Sequence, residues 1–181
     1  MSISVNQINT SIFKPGDELS LDANYLWLIV TGVVKSYTIS EEGNFITLGF
    51  WGTDDLLVRS LSQIAPYALK CISEVSALAI PEDRWQEVSR QMLHHAQQTQ
   101  QLIYILRSPR IYQRLWLFLE WLAAKFGWKV EQGKLIDIKL THQELADAIN
   151  TTRITVTKTL NQFENEGRIL RPRTKCIILK C

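Results

Sequence analysis

The segment from Leu140 to Gly167 restricts the fold more than any other part of this 181-residue chain. It reads Leu-Thr-His-Gln-Glu-Leu-Ala-Asp-Ala-Ile-Asn, then Thr-Thr-Arg-Ile-Thr-Val-Thr-Lys-Thr-Leu-Asn-Gln-Phe-Glu, and closes on Asn165-Glu166-Gly167. Thr141 and Glu144 form a Thr-x-x-Glu capping box, in which the hydroxyl accepts from the amide three residues on and the carboxylate reaches back. A first helix is expected over Thr141–Ile149. Ala146 is small, as two closely crossing helices require. Asn150 falls at the turn, and Asn tolerates left-handed geometry. Thr152 then caps a second helix from about Arg153 to Glu166, stopped by Gly167. Leu145, Ile149, Val156, Leu160 and Phe163 face inward. Two short helices joined by a three- or four-residue turn make a helix-turn-helix.

The outward face of the second helix carries Arg153, Ile154, Thr157, Lys158 and Asn161. Side chains near the start of such a helix reach base edges in the major groove. Arg153 and Lys158 suit guanine or phosphate, and Ile154 and Thr157 suit a thymine methyl. Thr141, His142 and Gln143, with Thr155, are candidate phosphate contacts. Arg168–Leu179 reads as a hairpin whose tip holds Arg171, Arg173 and Lys175, a basic wing for the DNA backbone. Charge supports this reading by its distribution. Thr151–Cys181 holds seven Lys and Arg against Glu164 and Glu166, a net +5, whereas the whole chain is only +2. That asymmetry fits an anionic partner at the C-terminal end. The alternative is a helical pair with a solvated basic edge.

Upstream, residues 12–80 read as short strands between turn signals at Lys14-Pro15-Gly16-Asp17, Thr31-Gly32 and Glu41-Glu42-Gly43-Asn44. The expected strands are Tyr25–Val30, Val33–Tyr37 running on to Ile39, Phe45–Phe50, Leu69–Ile72 and Ala77–Ile80. Their spacing indicates a small β-roll or barrel. At Pro81-Glu82-Asp83 the pattern changes to a helix start. Met92, Ala96, Thr99, Ile103 and Leu106 recur at the spacing of a coiled-coil seam, which implies a dimerisation helix; the alternative is a helix packed on its own barrel. Ser108-Pro109 breaks or bends it. A second helix, Arg110–Phe126, is expected to end at Gly127 as a C-terminal glycine, and Lys134–Leu140 to form a strand. The chain is thus read as α+β: a β-roll sensor domain over residues 1–80, a dimerisation helix over 81–108 and a winged helix-turn-helix over 109–181.

At these residues the chain resembles the CRP/FNR family of bacterial regulators. Leu140–Ala146 and Thr152–Lys158 are similar to the family's helix-turn-helix, and Phe13-Lys-Pro-Gly-Asp with the Gly43 hairpin to its cyclic-nucleotide-binding-domain-like roll. Asp137-Ile-Lys-Leu and Arg114-Leu-Trp-Leu-Phe-Leu with Phe126-Gly127 resemble the cyanobacterial nitrogen-control branch. The resemblance implies a homodimer on a palindromic DNA site and RNA polymerase as a further partner. The family's cyclic-AMP residues do not carry over: Phe50-Trp-Gly-Thr-Asp-Asp-Leu-Leu-Val places Asp54 and Asp55 where a phosphate would be repelled, and no arginine stands beside Ala68. The nitrogen-control branch implies 2-oxoglutarate as an effector, with Lys70 and Arg107 as its basic positions; Arg107 reads equally well as a surface charge. The family's recognition-helix glutamate is replaced by Ile154, which points to a different half-site. A degenerate roll that needs no ligand, or that acts as an adaptor through a protein partner, is the second reading.

An enzyme is not expected. A cupin-like metal site needs several histidines on barrel strands, yet His94, His95 and His142 all fall in expected helices. No phosphate loop, nucleophile elbow or metal-ligand pair is present, so neither metal nor resident cofactor is expected. Cys71, Cys176 and Cys181 form no CxxC pair and suit a reducing compartment. With neither a signal peptide nor a membrane-length apolar run in the sequence, a cytoplasmic location follows. Arg173→Ala should weaken binding to all duplex sequences alike and reduce the slope of log affinity against log salt, measured by titration at several salt concentrations.

Overall fold

Short apolar runs separated by turn residues fold into strands rather than helices, because no run is long enough to repay helix nucleation. The computed structural model describes residues 10–19, 25–57, 62–172 and 176–180. They form two compact units, Met1–Gln100 and Gln101–Cys181. In the first unit the strands are β1 (Thr10–Phe13), β2 (Tyr25–Thr31), β3 (Val34–Ile39), β4 (Phe45–Trp51), β5 (Leu56–Leu57), β6 (Ala68–Cys71) and β7 (Val75–Pro81). Two antiparallel sheets result, ordered β1-β7-β2-β5 and β4-β3-β6. The roll expected from the sequence is present, with β1 and β5 added to it.

The β2–β3 turn shows why Gly32 is needed. Its φ is +94°, and a Cβ there would lie 2.1 Å from the Glu74 carbonyl oxygen, so both the conformation and the close approach demand glycine. Inside the roll, Leu19, Ile29, Val34, Trp51, Leu57, Leu69, Cys71, Val75 and Ala77 form one buried cluster. Burial raises the Cys71 thiol to a pKa of about 11, which makes it an inert apolar side chain.

Pro81 precedes a tight 3-10 turn, Glu82–Val88, and then α1, Ser89–Leu106. Of the five seam positions, Met92 and Thr99 have contacts within the chain. Met92 packs against the cluster of Leu26, Leu28, Leu56, Ile80 and Val88, and Thr99 donates its hydroxyl to the His95 carbonyl at 2.9 Å. One face of the first half of α1 turns to the roll. The His95 ring stacks on Trp51 with centroids 4.1 Å apart, and Gln98 Nε2 donates to the buried Asp55 Oδ1 at 2.6 Å. Asp55 also accepts from the Gly52 amide at 2.6 Å. Leu106 is half-buried, while Ala96 and Ile103 are exposed, beside exposed Leu93 and Tyr104.

The second unit contains α2 (Ile111–Phe126), β8 (Gly127–Val130), β9 (Gly133–Ile136), α3 (His142–Ile149), α4 (Arg153–Asn165), β10 (Ile169–Leu170) and β11 (Ile177–Leu179). The strands form one antiparallel sheet ordered β10-β11-β9-β8. Leu115, Phe118, Leu119 and Leu122 of α2 are fully buried, as are Leu145, Ile149, Val156, Leu160 and Phe163 of the helix pair. Each such side chain contributes about 1.5–3 kcal/mol. Phe163 meets Tyr112 and Trp116 edge-on, at 4.7 and 5.3 Å between centroids.

Two sequence expectations are corrected here. The strand expected over Lys134–Leu140 ends at Ile136, because Ile138 and Leu140 leave the ladder to bury their side chains. Gly127 is not a left-handed helix stop: its φ is −100° and ψ 153°, extended backbone that opens β8. Its need for glycine is steric. A Cβ there would lie 2.5 Å from the Ala123 carbonyl oxygen and 2.9 Å from that of Leu135. Gly127→Ala should therefore destabilise the protein by about 1–3 kcal/mol, read as a lower midpoint in chemical denaturation. An unchanged midpoint would show that α2 and β9 can separate freely.

Candidate nucleic-acid interface

Two caps fix where the helices of the C-terminal unit begin. Thr141 Oγ1 accepts from the Glu144 amide at 3.1 Å, and the Glu144 carboxylate accepts from the Thr141 amide at 2.8 Å, so the expected capping box is complete. Asn150 is left-handed, with φ 53° and ψ 65°, and turns the chain after α3. Thr152 accepts from the Thr155 amide at 3.2 Å and starts α4. Such caps contribute about 1 kcal/mol each. They matter here because they present the first turn of α4 to solvent.

Val156, Leu160 and Phe163 bury one side of α4. Arg153, Ile154, Lys158 and Asn161 lie exposed on the other, Ile154 at 68%. A β-branched apolar side chain that exposed costs hydration for nothing in the free protein, and it suits contact with another apolar group. Arg153 and Lys158 enter no ion pair among the described residues. Thr157 is half-buried and committed: its hydroxyl donates to the Arg153 carbonyl at 2.9 Å and meets His142 Nδ1 at 2.8 Å. Its expected part in base contact is thereby reduced to its methyl group. Thr155 is half-buried, its hydroxyl 2.9 Å from that of Thr152.

The expected phosphate contacts divide. His142 is half-buried at the start of α3. Burial first, then the positive charges of Arg171 and Arg153, hold its pKa below the ordinary imidazole value. Thr141 spends its side chain on the cap, which leaves the amides of the first turn as its unit's donors. Gln143 is exposed and donates to Asp147 at 2.7 Å. Arg171 is not a free wing-tip cation. Its guanidinium pairs with Glu164, Nε donating at 3.0 Å, and Nη2 also donates to Asn161 Oδ1 at 2.7 Å. That pairing holds the Glu164 carboxyl below the usual carboxylate range. The wing itself is built from β10 and β11, with Ile169 opposite Leu179 and Leu170 opposite Ile178. Arg173 and Lys175 lie outside the described residues.

Two arginines hold the site in ways the sequence did not suggest. Arg168 lies over Trp116, 3.6 Å from the ring centre, and donates to the Tyr112 hydroxyl at 2.7 Å. Its charge, counted in the basic field from the sequence, is spent on an aromatic face. Arg114 donates to the Ile149 carbonyl at 2.9 Å and twice to the Ser108 carbonyl, at 3.0 and 2.9 Å. It ties the end of α3 to the chain just before Pro109. No short-range sequence signal marks the contacts of Arg168 with Tyr112 and Trp116 or of Arg114 with Ile149, since those partners lie far apart in the chain.

The candidate effector positions are less defined. Lys70 is exposed on β6, opposite Lys35 of β3, and Arg107 is exposed just past α1. The two belong to different units. Among the described residues no group of three or more His, Cys, Asp or Glu could hold a metal ion, and no helix is long and apolar enough to cross a membrane.

Comparison with known proteins agrees with this geometry. The model of the Crp-like helix-turn-helix domain matches residues 113–181. The chain is 37% identical over 161 residues to the regulatory protein CysR of Synechococcus elongatus, covering 87% of this chain and 77% of that one. It is 30% identical over 189 residues to the global nitrogen regulator of a Nostoc species, covering 95% and 82%. In fold it is similar to a CRP-family transcriptional regulator from Thermus thermophilus, with a TM-score of 0.80 over 94% of this chain and 92% of that one, at 20% identity. With capped helices, a solvent-facing recognition helix and relatives of this similarity along most of their length, the chain belongs to the CRP/FNR family of DNA-binding transcription regulators.

Proposed function

We propose that two copies of the chain, paired along α1, set two α4 helices into successive major grooves of a palindromic duplex site, about 34 Å apart. The observation that carries this reading is the exposed first turn of α4, where Arg153 and Ile154 stand free on a helix whose opposite side is fully buried. Arg153 and Lys158 address guanine or phosphate, and Ile154 with the Thr157 methyl addresses thymine. His142, Gln143, Thr155 and the amides of α3 hold the phosphate backbone, which sets register rather than sequence. The exposed Ala96 and Ile103, with Leu93 and Tyr104, supply apolar surface for the second copy.

The chain acts by binding rather than by catalysis, on DNA in the cytoplasm, and alters transcription through RNA polymerase. Asp55 supports a reading without cyclic AMP: its buried carboxylate is already bonded to Gly52 and Gln98, and an anionic phosphate beside it would be repelled. 2-Oxoglutarate is the effector to test. Selection of bound sequences from random DNA, with and without 2-oxoglutarate and cyclic AMP, reads site, symmetry and ligand dependence together. Arg153→Ala should lose preference among the selected sites, at about 1–3 kcal/mol per half-site in competitive gel shifts. Retained discrimination would remove Arg153 from base recognition.

A further inference from the structure

His142 joins the two helices of the pair. Its Nδ1 lies 2.8 Å from Thr157 Oγ1, and Thr157 Oγ1 donates to the Arg153 carbonyl at 2.9 Å. A hydroxyl has one proton to give. The ring is therefore the donor in the imidazole–hydroxyl contact: Nδ1 carries the hydrogen, and the neutral ring keeps its lone pair on Nε2. The charges that bear on this ring are Arg153 of α4 and Arg171 after β10. The carboxylates of the neighbouring elements are engaged elsewhere, Glu144 by the Thr141 cap, Asp147 by Gln143 and Glu164 by Arg171. Burial, and after it the charges of Arg171 and Arg153, hold the imidazole below its ordinary pKa and favour its neutral form in the free protein.

We propose that His142 is a proton-linked phosphate anchor, neutral and tied to Thr157 in the free protein and protonated at Nε2 when the α3–α4 pair closes on a duplex. This rests on the DNA-binding reading above and adds its regulation. A phosphodiester oxygen offsets the charge of Arg153 and Arg171 and accepts the hydrogen that Nε2 takes from solvent. The Nδ1–H contact to Thr157 is kept in both states, so the ring does not have to turn. Thr157 is thus a positioning residue. It holds the imidazole by its hydroxyl, which explains why a side chain on the recognition face points back into the protein.

The sign follows from linkage. The ring's pKa is higher in the complex than in the free protein. Affinity is greatest and level below the free-state pKa, falls between the two values, and is level and lower above the bound-state pKa. The fall reaches at most about tenfold per pH unit for each half-site, one proton being taken up at each.

The test uses the full chain and a duplex obtained by the selection above, at fixed ionic strength from about pH 5.5 to 8.5. Fluorescence anisotropy should show affinity falling as pH rises in the wild type and a flattened profile in His142→Gln, which keeps a neutral donor. His94→Gln and His95→Gln should keep the wild-type profile. Imidazole resonances followed by NMR should show the His142 pKa rising on addition of the duplex. An unchanged pH profile in His142→Gln, or a His142 pKa that does not move with DNA, overturns the proton linkage. If that variant binds with the wild-type salt slope, the DNA-binding reading survives the loss. Failure of the wild type to bind any duplex in a salt-sensitive way would overturn both.

Discussion

The C-terminal unit depends on burying one side of a short polar helix. α4 has few apolar residues, and Val156, Leu160 and Phe163 are the ones it buries fully. Phe163 carries the largest share, set edge-on between Tyr112 and Trp116 of α2. Aromatic pairs of this kind add about 0.5–1.5 kcal/mol each beyond the area they bury. With that side of α4 anchored, Arg153 and Ile154 at its start stay exposed. The hydroxyls of Thr141 and Thr152 each satisfy one first-turn amide, that of Glu144 and that of Thr155. Packing and capping together make a rigid platform with an exposed tip, the arrangement a groove-reading helix requires.

Electrostatics refine that platform by separating cations that support the fold from those left for a partner. Arg168 stacks on Trp116, Arg171 pairs with Glu164, and Arg114 binds carbonyls at Ile149 and Ser108. Each satisfies a buried or half-buried acceptor. Arg153 and Lys158 do not, and they stand on the face turned to solvent. A basic C-terminal end is therefore a sum of two populations, cations engaged within the protein and cations left exposed. His142 lies at the border between them, packed like the first and placed like the second.

In the N-terminal unit, polar and aromatic groups take the positions where a sensor domain would meet its helix. Trp51 stacks on His95 and donates from Nε1 to Ser36 at 2.8 Å, and Asp55 receives Gln98. Gly49 is required by this arrangement, because a Cβ there would lie 2.6 Å from the Trp51 ring. The roll and the first half of α1 are thus joined by specific contacts in the free chain.

The sequence by itself determined the helix-turn-helix and its residue phasing. Caps, the left-handed Asn150 and the apolar spacing all act within a few residues, so their physics is complete in the local chain. Most of the strands of the roll were legible for the same reason, through turn residues. Tertiary structure decided the rest. It placed Met92 and His95 against the roll, ended β9 at Ile136, made Gly127 a point of close approach and added β8 beside β9, where no alternation marks a strand. It also decided which cations are free, since Arg168 and Trp116, or His142 and Thr157, meet only once the helices pack. A charge's role depends on its neighbour's distance, and that distance is set by burial of apolar surface far away in the chain.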